Sequence, residues 1–544
     1  MSKKLSNLLL ALVIFVGGLI RLSNLVNFPT GFTPDEAAFG YNAYSILLTG
    51  KDEWGVPAWQ LFSQNLRSFG DYKLPLYSFL AVPTVKFLGL NEEATRLPNA
   101  IFGTLAIFSI YLLANKLFPG SRIGLLTAAL VAVSPWHVSL SRGAFESNLV
   151  TFFLPLAIYL YLRKKYLLSV LFFVINLYSY HSARLITPFV FLVLLIFFRP
   201  KFTKKLAISL LVFILLTLPA IFSYLGAGQG RLSDVSLFNP TDNWSGVADR
   251  RFQDGQAGLT DKYSRIFNNK LTALSGDSVR NYLSYLSPQF LFTQGAGEAT
   301  YGMIPGRGLF YFVELPFLLF ALIKLIKKPS RSALGLLSFV LISPIPATLA
   351  KSLGFSANRA APMFPFLIIL IAFGLSQLKI LQAKMLKIVT PLIIFVYILH
   401  ISFFIEDYVF HAPRLNAPSM SYGWSEAISR FKPISSQYSQ IKVSRSFSES
   451  QIFIAFYWPV PPSEYQKSSV TWSDFNQKGF RFLDQLDGYY LGNFRFGDLN
   501  PNDPVTVPTL LIGKPDEFSE KSSYYFQIFA PTGKPVIQIS SKQP

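Results

Sequence analysis

Apolar runs close to twenty residues long recur from the N-terminus to residue 405, and they restrict this chain more than any other feature. A hydrocarbon layer roughly 30 Å thick is crossed by about 20 helical residues. Eleven runs read as spans: 6–26, 97–115, 122–140, 148–162, 166–181, 184–198, 205–225, 309–326, 332–350, 360–378 and 386–405. A further run, 74–90, is ambiguous. Only 14% of the 544 residues are charged and 51% are hydrophobic. An ordinary soluble protein carries about 25% charged residues. A soluble enzyme, a fibre and a disordered chain are all excluded as descriptions of the whole.

The net charge of +20 would suggest nucleic acid in a soluble protein, but its placement says otherwise. Six short loops hold Lys3/Lys4, Lys116/Arg122, Arg163/Lys164/Lys165, Arg199/Lys201/Lys204/Lys205, Lys324/Lys327/Lys328/Arg331 and Lys379/Lys384/Lys387. They carry 18 basic residues and no acidic one; the rest of the chain has 31 basic against 29 acidic residues. Cytoplasmic loops of membrane proteins show this bias. No nucleic-acid partner is expected. With these loops inside, eleven crossings place the N-terminus in the cytoplasm and the C-terminus outside a cell membrane. The run 74–90 then lies re-entrant or on the outer face. The first run is read as a retained span, because Arg21, Asn24, Asn27 and Pro29 follow it in place of a small-residue cleavage site.

Two parts are expected: a membrane body, 1–405, with external loops 27–96 and 226–308, and an external domain, 406–544. The tail reads as a small α/β domain with strands at Gln451–Trp458 and Thr506–Ile512. A hairpin of Tyr524–Phe529 and Pro535–Ile539 turns through Pro531-Thr532-Gly533. The fold class is therefore an α-helical polytopic membrane protein with a small α/β domain at its C-terminus.

Cysteine is absent and only His137, His181, His400 and His411 are present, which excludes thiolate metal sites and disfavours a His-rich centre. No cofactor is indicated, and a divalent cation is left open. Under this topology Asp35, Glu36, Lys73, Glu146, His181, Arg184 and Arg359 all fall at outer ends of spans, from separate stretches of sequence. Ionisable groups converging on one rim of a membrane protein mark a functional site. Each also has a plainer role. Thr33, Pro34 and Glu36 form a capping box, whereas Asp35 is not required by it. Lys73 before an apolar helix suits a snorkelling lysine or a cation for a lipid phosphate. Arg142, Arg184 and Arg359 suit interfacial anchors or, with Lys73, a phosphate cradle. Tyr457, Trp458 and Tyr465 suit core packing or stacking on a sugar.

At these residues the chain resembles polyprenyl-phosphate-sugar-dependent glycosyltransferases of the GT-C superfamily, the protein O-mannosyltransferase and lipid A aminoarabinose transferase group. Pro34-Asp35-Glu36 with Phe39-Gly40-Tyr41 looks like that family's acidic motif in the first external loop. Lys73-Leu74-Pro75-Leu76-Tyr77 resembles its Lys/His-Pro-Pro-Leu motif, with Leu for the first Pro. Arg96-Leu97-Pro98-Asn99-Ala100-Ile101-Phe102-Gly103 is similar to the stretch opening the next span. Ser141-Arg142 and Glu146 stand where the family has a second acidic site, usually Asp. Tyr180-His181-Ser182-Ala183-Arg184 looks like an external motif of prokaryotic members, and Arg359-Ala360-Ala361-Pro362 matches a late Arg.

The resemblance covers residues 8–200 most fully. It implies an inverting transfer from a polyprenyl-phosphate or diphosphate sugar to a hydroxyl of a glycan, lipid or protein. Asp35 would be the base, with Glu36 and Glu146 orienting sugar or acceptor. Lys73, Arg184 and Arg359 would hold the phosphate, beside Tyr41, Tyr180 and His181. Two other classes stay open at this stage. One is a transporter or flippase for a lipid-linked glycan; the other is a non-catalytic membrane scaffold.

Overall fold

A computed structural model describes residues 2–120, 122–225, 244–351, 354–380, 382–472, 479–480, 482–518 and 525–544. Five helices are long and apolar enough to cross a membrane unaided: Lys3–Leu22, Glu92–Leu117, Lys204–Ser223, Arg331–Thr348 and Ala383–Asn416. Shorter apolar helices occupy Leu76–Leu88, Ile123–Val133, Glu146–Leu162, Tyr166–Leu177, His181–Phe197 and Ala361–Ser376. Prolines set several of these bounds. Pro135 divides the run 122–140 into Ile123–Val133 and Pro135–Leu140, because proline lacks the N–H of a continuing helix. The helix Leu76–Leu88 has 13 residues and rises about 20 Å, less than a bilayer core.

The helix Glu92–Leu117 is the axis of the body. It packs on Lys3–Leu22, Leu76–Leu88, Ile123–Val133 and Leu149–Leu162. Gly103 lets it approach closely, since a Cβ there would overlap the side chain of Ser141. Small residues at such crossings are how helices associate in lipid, where burial of apolar surface contributes little. The helix Ala383–Glu406 is the opposite case: Phe404 is its one buried residue, Tyr397 and Ile401 are half-buried against the body, and most of the remainder is exposed.

The C-terminal part carries a six-stranded sheet. Its strands β3 (Gln440–Ser444), β4 (Tyr489–Leu491), β5 (Phe494–Gly497), β6 (Thr509–Gly513), β7 (Phe526–Phe529) and β8 (Pro535–Lys542) lie in the order β4-β5-β3-β6-β8-β7. β3 runs parallel to β5 and β6, while the other neighbours are antiparallel. The expected hairpin is β7–β8, with Ile528 opposite Ile537; Tyr524 lies outside the described residues. The expected strand Gln451–Trp458 is instead the helix Ser450–Tyr457, buried from Ser450 through Phe456. A continuous apolar run buried on all sides carries no periodicity that separates strand from helix.

This domain rests on the helix Pro34–Thr49. Phe32, Ala37, Ala38 and Tyr41 belong to the same buried cluster as Ile441, Ile452, Phe456 and Ile512. Of the loop 226–308, residues 226–243 lie outside the described residues; beyond them stand the helices Ser245–Gln256, Asp261–Phe267 and Lys270–Tyr285.

Candidate functional site

The helix Pro34–Thr49 opens with the capping box read from the sequence: Thr33 accepts from the Glu36 N–H, and Glu36 accepts from the Thr33 N–H. Glu36 does more than cap. It is wholly buried and paired with the equally buried Arg96, Nε to Oε1 at 2.8 Å and Nη2 to Oε2 at 3.2 Å. Oε1 also accepts from the Ala144 N–H at 2.8 Å. Arg96 donates further to the carbonyls of Leu25, Pro29 and Gly31. The expectation that Glu36 orients sugar or acceptor is therefore corrected on position. Its oxygens are engaged inside the protein, where they hold the loop that leads into the helix.

Asp35, one residue earlier, points the other way and keeps 38% of its side chain exposed. Its partner is Lys73, whose side chain is 2% exposed. Lys73 arrives on a short hairpin of β1 (Leu66–Ser68) and β2 (Asp71–Lys73), turned at Phe69 and Gly70 with φ of +42° and +97°. Two positive φ values are what a tight two-residue hairpin requires. The ammonium also lies 3.6 Å from Asp71 and 5.0 Å from the centre of the Phe69 ring. One cation is thus shared between two carboxylates under an aromatic roof.

The helix His181–Phe197 begins beside this hairpin. His181 Nε2 is 3.3 Å from the Tyr72 carbonyl, next to Lys73. Arg184, one turn on, donates from Nε to Leu177 O at 3.0 Å and from Nη1 to Ser223 Oγ at 2.9 Å. Its buried Nη2 has no hydrogen-bond partner among the described residues. The guanidinium is held by two contacts with one donor edge in hand.

A second group adjoins the first. Asn358 donates to the Tyr180 hydroxyl at 3.3 Å and accepts from Ser147, the neighbour of half-buried Glu146. Arg359 follows Asn358 and lies within electrostatic reach of Glu298 and Tyr285. Glu298 accepts from the Asn358 N–H at 3.1 Å, and burial raises its carboxyl above the usual range. Tyr301 stands in the middle, within the fields of Asp35, Tyr180, Glu146 and Glu298, with burial holding its phenol protonated. Sequence reasoning missed Glu298 and Tyr301. They sit in a loop without a helical or strand signature.

Asp35, Asp71 and Tyr301 line a cavity of about 320 Å³ that the C-terminal domain closes with Ser448, Glu449 and Asp484. Glu449 is buried at φ +56°, and desolvation lifts its carboxyl well above the ordinary value. Neither Glu449 nor Asp484 carried a signal in the sequence. Tyr41, expected to touch substrate, is corrected: the domain covers it completely, and its hydroxyl donates to Val460 O at 2.9 Å. Tyr465 packs on it at 5.1 Å between ring centres, and Tyr457 bonds Glu92, so both serve the joint between the two parts. Arg142 donates to the carbonyls of Ile20 and Ser23 as an anchor. Among the described residues, the Asp/Glu/His trio close enough to share a cation is Glu406, Asp407 and His411, which does not line this cavity.

Residues 73–223 match the family described as dolichyl-phosphate-mannose-protein mannosyltransferase. The structure of ArnT from Cupriavidus metallidurans bound to undecaprenyl phosphate is similar over 99% of this chain and 98% of that one, with 13% identity and a TM-score of 0.53. Its apo state is similar over 98% and 97%, with 12% identity and a TM-score of 0.53. The archaeal oligosaccharyltransferase AglB from Archaeoglobus fulgidus, in complex with an inhibitory peptide and a dolichol-phosphate, is similar over 84% of this chain, with 16% identity and a TM-score of 0.46. This chain spans 64% of the length of that protein. No curated protein matches the sequence. The chain shares the fold of ArnT and resembles the GT-C superfamily: a multi-pass helical body with a small sheet domain.

Proposed function

We propose that this protein is an integral-membrane inverting glycosyltransferase. It moves a sugar from a polyprenyl phosphate or diphosphate to a hydroxyl acceptor, a glycan, lipid or protein, at the outer face of the cell membrane. Residues 1–405 are the transferase body, with the N-terminus in the cytoplasm. Residues 406–544 are an extracytoplasmic domain that lends Glu449 and Asp484 to the cavity. The observation that carries the reading is the pair of half-exposed Asp35 and buried Lys73 at the edge of that cavity.

Asp35 takes the proton of the acceptor hydroxyl. The acceptor oxygen bonds to the anomeric carbon as the bond from that carbon to the phosphate oxygen breaks, inverting the configuration. The leaving polyprenyl phosphate is already an anion, so it needs cations and no general acid. Lys73 and Arg184, whose buried Nη2 has no partner among the described residues, are the cations for that task. Lys73 also couples donor binding to base strength. While it is paired with Asp35 it stabilises the ionised carboxylate and weakens it as a base. A lipid phosphate drawing the ammonium away frees Asp35 as the donor arrives. His181 and Tyr180 frame the phosphate side. Glu146 and Arg359 border the acceptor side through Asn358 and Tyr301. Glu36 keeps the helix N-terminus in place and takes no part in the chemistry.

The test is incubation of the purified protein with a panel of labelled polyprenyl-phosphate sugars and membrane extract, beside the Asp35→Asn variant. Label should move from the lipid to a macromolecule in the wild type and drop by at least about 10²-fold in the variant, the lower end for a lost general base. Equal transfer by the two proteins would sink the assignment of Asp35. Transfer by neither, with any sugar of the panel, would sink the enzyme reading.

A further inference from the structure

The segment 245–285 exposes its large apolar side chains beside charged ones such as Asp261 and Arg265. Its three helices, Ser245–Gln256, Asp261–Phe267 and Lys270–Tyr285, meet through polar groups. Asp254 accepts from Ser264 Oγ at 2.5 Å and from Asn268 Nδ2 at 2.6 Å. Arg251 Nε donates to Asn268 O at 2.6 Å. Ser264, a polar residue, is the buried position of the middle helix. The large apolar side chains point away. Phe252, Phe267 and Leu271 are 67%, 67% and 74% exposed, and Tyr263, Ile266, Val279 and Leu283 each keep more than half of their surface outside. None of these seven belongs to a buried apolar cluster among the described residues.

The exposed residues are ordered. In the middle helix Tyr263, Ile266 and Phe267 share one face, at spacings of three and four. In the last helix Leu271, Val279 and Leu283 share one stripe, while Asp277 and Arg280 pair elsewhere on it at 3.5 Å. Aromatic and branched residues exposed beside charged ones suit the boundary between lipid and water. In water this arrangement would expose an apolar patch of a kind that soluble surfaces avoid.

The position of the segment names the solvent. Tyr282 donates to the Leu341 carbonyl at 2.7 Å, at the end of the apolar helix Arg331–Ile342, and Leu341 itself is 52% exposed on the body's outward surface. The stripe therefore continues the lipid-facing belt of the spans. Tyr285, at the root of the segment, packs on Phe290 at 5.2 Å and lies in the fields of Glu298 and Arg359. This is the face of the membrane on which the candidate site opens. Lys262 and Lys270 stand beside the apolar residues, where lipid phosphates would lie, while Arg265 pairs with Asp261 at 2.7 Å.

We propose that residues 245–285 form an interfacial arm whose Phe252, Tyr263, Ile266, Phe267, Leu271, Val279 and Leu283 are sunk in the outer lipid leaflet, beside the site. The partner is the lipid surface itself. The placement on the outer leaflet rests on the topology proposed above, whereas the insertion rests on the arm's own surface. The arm widens the hydrophobic border from which a long polyprenyl chain approaches Lys73.

The chain has no cysteine, so single cysteines report without background. Phe267→Cys, Leu271→Cys and Leu283→Cys, each carrying an environment-sensitive fluorophore, are placed in the full chain in nanodiscs of phosphatidylethanolamine and phosphatidylglycerol. Doxyl groups on the lipid chains act as quenchers. Leu392→Cys on the outward helix Ala383–Glu406 is the lipid-facing standard, and Asp277→Cys the polar one. We expect the three arm positions to be quenched several-fold more than 277 and to approach 392. Quenching at 392 with none at 267, 271 and 283 overturns the proposal. If those three are then open to a water-soluble thiol reagent, the arm stands in solvent; if they are closed to it, another protein surface covers the arm. The readout does not use transfer, so its failure leaves the glycosyltransferase reading standing, and an inactive enzyme leaves this one standing.

Discussion

Replacing Glu36 by Gln and Asp35 by Asn separates a structural carboxylate from a chemical one at neighbouring positions. A capping box by itself would tolerate Gln at 36, because an amide oxygen still accepts from the Thr33 N–H. The buried pair with Arg96 changes that expectation. Glu36 is fully enclosed and meets the guanidinium at 2.8 and 3.2 Å. Removing one charge of a buried pair costs about 3–5 kcal/mol, since the remaining ion is left uncompensated. Arg96 keeps its carbonyl partners at Leu25, Pro29 and Gly31, which places the loss near the lower end, about 3 kcal/mol. Asp35→Asn has a different signature. Asp35 is partly exposed and buried Lys73 keeps Asp71 at 3.6 Å, so losing the pair and the favourable place at a helix N-terminus costs only about 1 kcal/mol. Transfer rate should fall by at least about 10²-fold. The assay is thermal unfolding of each purified variant in one detergent, followed by initial rates at equal folded protein. Glu36→Gln should unfold at distinctly lower temperature and, where folded, retain activity. Glu36→Gln melting with the wild type would refute the argument from the buried pair. A dead but stable Glu36→Gln beside a fully active Asp35→Asn would require the two roles to be exchanged.

Lys73→Ala and Arg184→Ala should each lower transfer sharply, and the double variant should lose much less than the product of the two, because both act on one phosphate. Rates that multiply would indicate separate interfacial anchors. Glu53 is buried, and desolvation and Asp52 lift its carboxyl well above the usual value against the opposing field of Lys73; Asp52 is raised to about 6. The folded state therefore binds more protons than the unfolded one, and stability falls as pH rises from about 4 through 6 and beyond. Glu53→Gln, which still accepts from Asn42, should raise the melting temperature at pH 8 and flatten this slope; an unchanged profile would contradict it. Reporter fusions after residues 165, 203 and 328 should read cytoplasmic, and those after 270 and 544 external, as the placement of basic loops demands. A cytoplasmic reading at 544 would move the site to the other face.

The class of this protein was legible in its sequence, because a membrane acts on every residue of a span in the same way. A run of apolar residues must become a helix to satisfy its own backbone, and a cluster of lysines stays on the side where it began. Local rules reached a little further. Thr33, Pro34 and Glu36 announced a helix start, and Pro531-Thr532-Gly533 announced the turn between β7 and β8. Spacing failed where burial is uniform, as at Ser450–Tyr457, which carries no polar face to count from. It also failed where partners lie far apart along the chain. Glu36 finds Arg96 sixty residues on, and Asp35 shares a cavity with Glu449 and Asp484 from a different domain. The capping box was visible because its two residues are three apart, but the charge that engages Glu36 is a property of two helices crossing. Which of two adjacent carboxylates is enclosed and which faces the cavity depends on what packs against each side of the helix, and that is decided by tertiary structure alone.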